Sequence, residues 1–111
     1  MRDPELLLKD ILEAISAIEK FVEGVDFEGF KNNDEKTSAV IRKFEIIGEA
    51  VKGLPEDLKA KYPELPWREM AAFRDKLIHF YFGIKYELVW QTIKKRLSTL
   101  KQFIKDILDK G

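Results

Sequence analysis

Apolar residues recur at intervals of three and four in separate stretches of this chain, and each stretch predicts an amphipathic helix. Between Pro4 and Val22 the positions Leu7, Ile11, Ile15, Ile18 and Val22 form one stripe, on a helix that Pro4 opens within its first turn. Gly24 and the residues up to Asn33 interrupt it. A second helix begins near Asp34, read as its N-cap, and carries Val40, Phe44, Ile47, Val51 and Leu54 until Gly53-Leu54-Pro55 breaks the pattern. Arg42, Glu45, Glu49 and Lys52 lie on its opposite edge. Residues 55–66 hold three prolines and predict a short helix and a turn, after which Pro66-Trp67 opens a third long helix. The last helix runs roughly from Tyr86 to Leu108, with Val89, Ile93, Leu97, Leu100 and Ile104 on one face and cations on the other.

Four amphipathic helices with short connections predict an all-α fold, specifically an antiparallel up-down four-helix bundle with one or two short extra helices. A chain of 111 residues supports one hydrophobic core, so residues 1–111 are read as one helical domain. No segment approaches the run of roughly 18 apolar residues that a membrane span needs. The opening Met-Arg-Asp-Pro-Glu lacks the order of a signal peptide. A cytoplasmic location without membrane partners is therefore expected.

Charge narrows the choice of partner. Twenty basic and twenty acidic residues cancel, so no global field draws the chain to nucleic acid. The distribution is uneven: residues 1–30 hold three basic against eight acidic side chains, and residues 85–111 hold seven against three. Lys94, Lys95 and Arg96, with Lys101 and Lys105, are either a solvated helix face or a surface for RNA phosphates or an acidic partner. The chain has no cysteine and one histidine, which argues against a metal site within it, and no metal or cofactor is expected.

The lone histidine stands in Arg74-Asp75-Lys76-Leu77-Ile78-His79-Phe80-Tyr81. At about 100° per residue, Met70, Phe73, Leu77 and Phe80 form the core stripe of the third long helix, and Arg74 and Tyr81 sit together on its edge. His79 points away from that stripe, near Asp75, Ala71, Ala72 and Ile78. This second face combines small, apolar and titratable groups and suits the close approach of another helix, which points to a homodimer; ordinary surface placement is the alternative. Arg74 and His79 are about 140° apart around a straight helix. Either the helix is distorted ahead of Gly83, or two chains complete one site.

The second option has a chemical attraction. Cleavage of RNA by its own 2′-hydroxyl needs one group to take a proton and another to give one; this chain has one imidazole and a twofold dimer has two. Arg74 would hold the phosphate and stabilise developing charge. Asp75, one turn before His79, is either an exposed helical carboxylate or an acceptor that fixes the imidazole tautomer. Tyr81 reads as a partly buried bundle residue with its hydroxyl at the edge.

The pattern Arg74-x4-His79-x-Tyr81, within Met70-Ala-Ala-Phe-Arg-Asp-Lys-Leu-Ile-His-Phe-Tyr-Phe-Gly-Ile84, resembles the signature of the HepT-like ribonuclease toxins of the HEPN superfamily. Ala39-Val-Ile-Arg-Lys-Phe-Glu-Ile-Ile-Gly-Glu-Ala50, the turn Tyr62-Pro-Glu-Leu-Pro-Trp67, and Val89-Trp90 before a basic helix extend the resemblance over roughly residues 34–100. It implies an all-helical homodimer and a metal-independent endoribonuclease, with Arg74 and His79 as the catalytic pair. It also implies a partner, a minimal nucleotidyltransferase antitoxin of the MNT type that inactivates the toxin by transferring AMP to the motif tyrosine, here Tyr81. An adenylate there would put bulk and negative charge where RNA phosphate must sit. The family pattern often has asparagine after the arginine, where this chain has Asp75. Glu49, within Ile-Gly-Glu-Ala, is a further candidate neighbour of the site.

Two other classes fit the same residues. One is a non-catalytic adaptor that binds a nucleotide or a nucleotidyltransferase and uses Arg74 and His79 only as phosphate contacts. The other is a dimerisation bundle in which Arg74 and Asp75 are ordinary surface charges.

Overall fold

The computed structural model describes residues 3–79 and 85–110, without the side chains of Ile78 and His79. Among the described residues the chain is all-helical, with six helices: α1 (Pro4–Phe21), α2 (Phe27–Lys31), α3 (Asp34–Gly53), α4 (Glu56–Lys61), α5 (Trp67–His79) and α6 (Tyr86–Lys110). None of them is long and apolar enough to cross a membrane.

The stripes predicted for α1, α3 and α6 supply most of the core; of the α5 stripe Leu77 is buried, Met70 and Phe73 are partly buried, and Phe80 lies outside the described residues. On α1, Ile11, Ile15 and Ile18 have no solvent exposure, and on α3 Val40, Phe44, Ile47 and Val51 are buried with Leu54 just beyond. Val89, Ile93, Leu97 and Ile104 do the same on α6, while Leu100 is only partly buried. Helix α3 is the hub, packing on α1 along one side and on α5 along another, and α6 lies against α1.

The helix ends follow local chemistry. Asp3 caps α1 by accepting a hydrogen bond from Glu5 N, with Pro4 in the first turn. The expected N-cap of α3 is displaced by one residue: Asn33 is the cap, its Oδ1 accepting from Lys36 N at 2.9 Å, and Asp34 is the first helical residue. Both types cap equally well, so sequence alone does not separate them. Lys36 Nζ donates to Phe21 O at 2.6 Å, joining the start of α3 to a carbonyl left free at the end of α1.

Helix α2 lies in the stretch that periodicity reads only as an interruption. Gly24 takes φ +70°, a turn conformation costly for other residues, and Asp26 then caps the helix by accepting from Gly29 N. Five residues are too short to show a period, but Phe30 is fully buried. Its ring lies 5.2 Å from that of Trp90 and edge-on to Tyr86 at 6.2 Å. This aromatic cluster ties α2 to the first turns of α6.

Candidate active site

Helix α5 begins on a fixed anchor. Trp67 is buried and its Nε1 donates to Tyr62 O at 3.0 Å, so the Tyr62–Trp67 turn holds the first turn in place. Phe73 then packs edge-on against Phe44 of α3 at 5.2 Å, and Leu77 is buried.

Between those contacts, Arg74 meets α3 at Gly48. A Cβ placed on Gly48 would lie 2.1 Å from Arg74 Cβ and 3.2 Å from Met70 O, so only glycine permits this approach. A glycine inside a helix costs about 1 kcal/mol relative to alanine and calls for a packing reason. Here the reason is Arg74, the predicted catalytic arginine.

One turn beyond Gly48 on α3 is Lys52. Its Nζ donates to Asp75 Oδ1 at 2.6 Å, and Arg74 Nη1 donates to the same oxygen at 3.2 Å. Two cations from different helices thus converge on one carboxylate. Lys52 and Asp75 are accessible to solvent, whereas Arg74 is only 28% exposed. Arg74 Nε is buried with no hydrogen-bond partner among the described residues.

The Lys52 hydrogen bond, followed by that from Arg74, holds the Asp75 carboxyl below its ordinary pKa of 3.8. A carboxylate whose pKa is depressed by folding contributes stability above its unfolded pKa, and this is lost as pH falls through the folded value. Asp75→Asn should therefore show a constant stability offset from the parent at neutral and mildly acidic pH. The offset should shrink only below about pH 3.8, as can be measured by urea unfolding over an acid series. An offset that changes chiefly near neutrality would contradict the ion pair.

The remaining predicted residues are placed as follows. Helix α5 continues to His79, so the backbone positions of Arg74 and His79 stand about 140° apart around its axis. The His79 side chain and the whole of Tyr81 lie outside the described residues. On the face expected to meet a second chain, Ala72 is exposed, Ala71 packs against the core, and Asp75 is engaged by Lys52 and Arg74. Glu49 is exposed.

Lys94, Lys95 and Arg96 are all exposed on α6. Lys94 Nζ lies 4.8 Å over the Trp90 ring, and Arg96 Nη1 is 3.6 Å from Glu69 of α5. Lys95 and Arg96 border a groove of about 810 Å³ between α5 and α6, walled by Phe44, Ile47, Met70, Phe73, Leu97, Leu100 and Phe103. Arg74 and Asp75 do not line it. The apolar groove and the cluster of charges are separate features: the walls of the groove are apolar with cations only at its rim, whereas the cluster brings two cations to one point.

Sequence reasoning left two residues of this cluster without a role, Gly48 and Lys52. Their spacing of four places them on one side of α3, and an interior glycine is the signal that marks that side as a helix crossing.

Comparison with known proteins accounts for most of the chain. Residues 11–107 match the family model described as "Ribonuclease HepT-like". A protein of Caldanaerobacter subterraneus subsp. tengcongensis, named as a candidate RNase, is 43% identical over 99% of this chain and 98% of its own length. A Thermococcus cleftensis protein named "Probable ribonuclease HepT" is 51% identical over 85% of this chain and 86% of its own. A candidate RNase of Methanocaldococcus jannaschii is 45% identical over 98% and 97%. No solved structure matches. Family match and full-length relatives agree: the chain belongs to the HepT-like ribonuclease family.

Proposed function

We propose that this protein is the toxin of a toxin–antitoxin pair, a metal-independent endoribonuclease whose site is completed by two copies of the chain. The observation that carries the reading is the family match over residues 11–107, which spans Arg74 and His79, together with the close crossing that holds Arg74 against α3.

Cleavage begins when the 2′-hydroxyl oxygen attacks the adjacent phosphorus. A neutral imidazole takes the hydroxyl proton as the new P–O bond forms. The P–O5′ bond then breaks, and the departing oxygen takes a proton from an imidazolium. One His79 supplies one of these groups, and the second copy in a homodimer supplies the other. The 140° between Arg74 and His79 supports this arrangement, because a single straight helix does not bring both to one phosphate. Arg74, already fixed against α3, donates to the phosphoryl oxygens and stabilises the charge that builds on them. The four long helices form an antiparallel bundle as the scaffold, and Lys94, Lys95 and Arg96 extend the phosphate-binding surface along α6.

Incubation with tRNA or mRNA in EDTA is expected to give cleavage that Arg74→Ala or His79→Ala removes. Undiminished cleavage by both variants would sink the assignment.

In the cell the partner is a minimal nucleotidyltransferase that silences the toxin by transferring AMP to Tyr81. The added phosphate repels RNA phosphate from Arg74, and the nucleoside blocks access. Co-expression with such a transferase should yield, by mass spectrometry, an adduct of AMP mass on Tyr81. Modification confined to another residue refutes this assignment.

A further inference from the structure

Three facts about the α3–α5 crossing converge. Lys52 Nζ and Arg74 Nη1 both reach Asp75 Oδ1, so a single point beside the crossing lies within hydrogen-bond distance of two cations. Gly48 makes that convergence possible, since any side chain there would push Arg74 away from the helix that carries Lys52. The three charges sum to +1, so Asp75 does not neutralise the pair of cations that it joins.

A carboxylate oxygen and a non-bridging phosphate oxygen are both anionic acceptors of similar size, and they form the same charge-assisted hydrogen bonds. A phosphodiester has two non-bridging oxygens, one for an ammonium and one for a guanidinium. Asp75, the residue next to Arg74 in the chain, offers Oδ1 to both.

We propose that Lys52 and Arg74 together form the seat for one RNA phosphate, and that Asp75 holds this seat with its own carboxylate until RNA displaces it. The proposal rests on the ribonuclease reading and deepens it, adding Lys52 to the RNA-binding residues and giving Asp75 the role of an internal competitor. The exposure of Lys52 and Asp75 leaves the seat reachable from solvent.

The role as a seat and a purely structural ion pair make opposite predictions. If Lys52 and Asp75 merely pin α5 to α3, removing either partner loosens the same contact, and both variants change RNA binding in the same direction. If they form a seat with a competitor, Lys52→Met weakens RNA binding and Asp75→Asn strengthens it.

Binding of a fluorescein-labelled, mixed-sequence single-stranded RNA is measured by anisotropy over a series of salt concentrations. The full chain carries His79→Ala, so that the RNA stays intact. Lys52→Met is expected to weaken binding roughly tenfold at low salt. It should also reduce the steepness of log K against log salt by about 0.7, the contribution of one neutralised phosphate on a single strand. Lys52→Arg restores both, and Asp75→Asn tightens binding.

An unchanged salt slope in Lys52→Met, or weakened binding in both Lys52→Met and Asp75→Asn, overturns the seat while leaving the ribonuclease reading intact. Failure of the His79→Ala chain to bind RNA, with no cleavage by the parent, overturns both.

Discussion

His79→Ala is expected to slow RNA cleavage by about 10²–10⁴-fold, the usual contribution of a general acid or base. Imidazole is the one side chain whose ordinary pKa lies near neutrality, and this chain has a single copy. One substitution therefore removes both imidazoles of the proposed dimeric site, and the chain has no other histidine to substitute. Arg74→Ala should cost about 10²–10³-fold, as expected for loss of a donor that stabilises transition-state charge. Arg74→Lys should fall between the parent and Arg74→Ala, because it keeps the charge but loses the planar fork. The readout is the initial rate of cleavage of one RNA in EDTA, with far-UV circular dichroism showing that each variant remains helical. Rates within twofold of the parent for both alanine variants would remove Arg74 and His79 from the chemistry.

The second large effect comes from a residue that has no side chain to take part in the chemistry. Gly48→Ala adds a carbon that would sit 2.1 Å from Arg74 Cβ and 3.2 Å from Met70 O. Neither neighbour is the free end of a flexible side chain, so the whole of α5 must move away from α3. Alanine recovers about 1 kcal/mol of helix propensity, while overpacking of this kind costs about 1–3 kcal/mol. The expected net result is a loss of up to about 2 kcal/mol, seen as a lower urea midpoint at unchanged slope. Activity should fall further than stability if Arg74 has its proposed role, because displacing a catalytic group by about 1 Å can cost on the order of 10²-fold. Cleavage is therefore compared at a temperature where the variant is fully folded. A variant as stable and as active as the parent would show that the close crossing at Gly48 is not what positions Arg74.

The long helices were legible because burial imposes a period. Ile11, Ile15 and Ile18 on α1, and Val40, Phe44, Ile47 and Val51 on α3, announce their buried faces directly. Helix α2 was not legible, because Phe27 and Phe30 span a single turn and their partners Tyr86 and Trp90 are more than fifty residues away. Arg74 stood out by its spacing from His79, and the family resemblance supplied its role. Its surroundings did not stand out. The convergence of Lys52 on Asp75 joins residues twenty-three apart and depends on how α3 and α5 cross, which no one-dimensional pattern records. The interior glycine of Ile-Gly-Glu-Ala was the only trace of that crossing in the sequence, and a glycine marks a close approach without naming what approaches.

The most direct test of metal-independent cleavage by the 2′-hydroxyl is to map the ends of RNA fragments produced by the purified chain in EDTA. In-chain attack with acid–base catalysis predicts fragments ending in a 2′,3′-cyclic phosphate with 5′-hydroxyl partners, and no cleavage where the attacking sugar is 2′-deoxy. Fragments carrying 5′-phosphates, or activity that disappears with EDTA and returns with added divalent cation, would contradict the account.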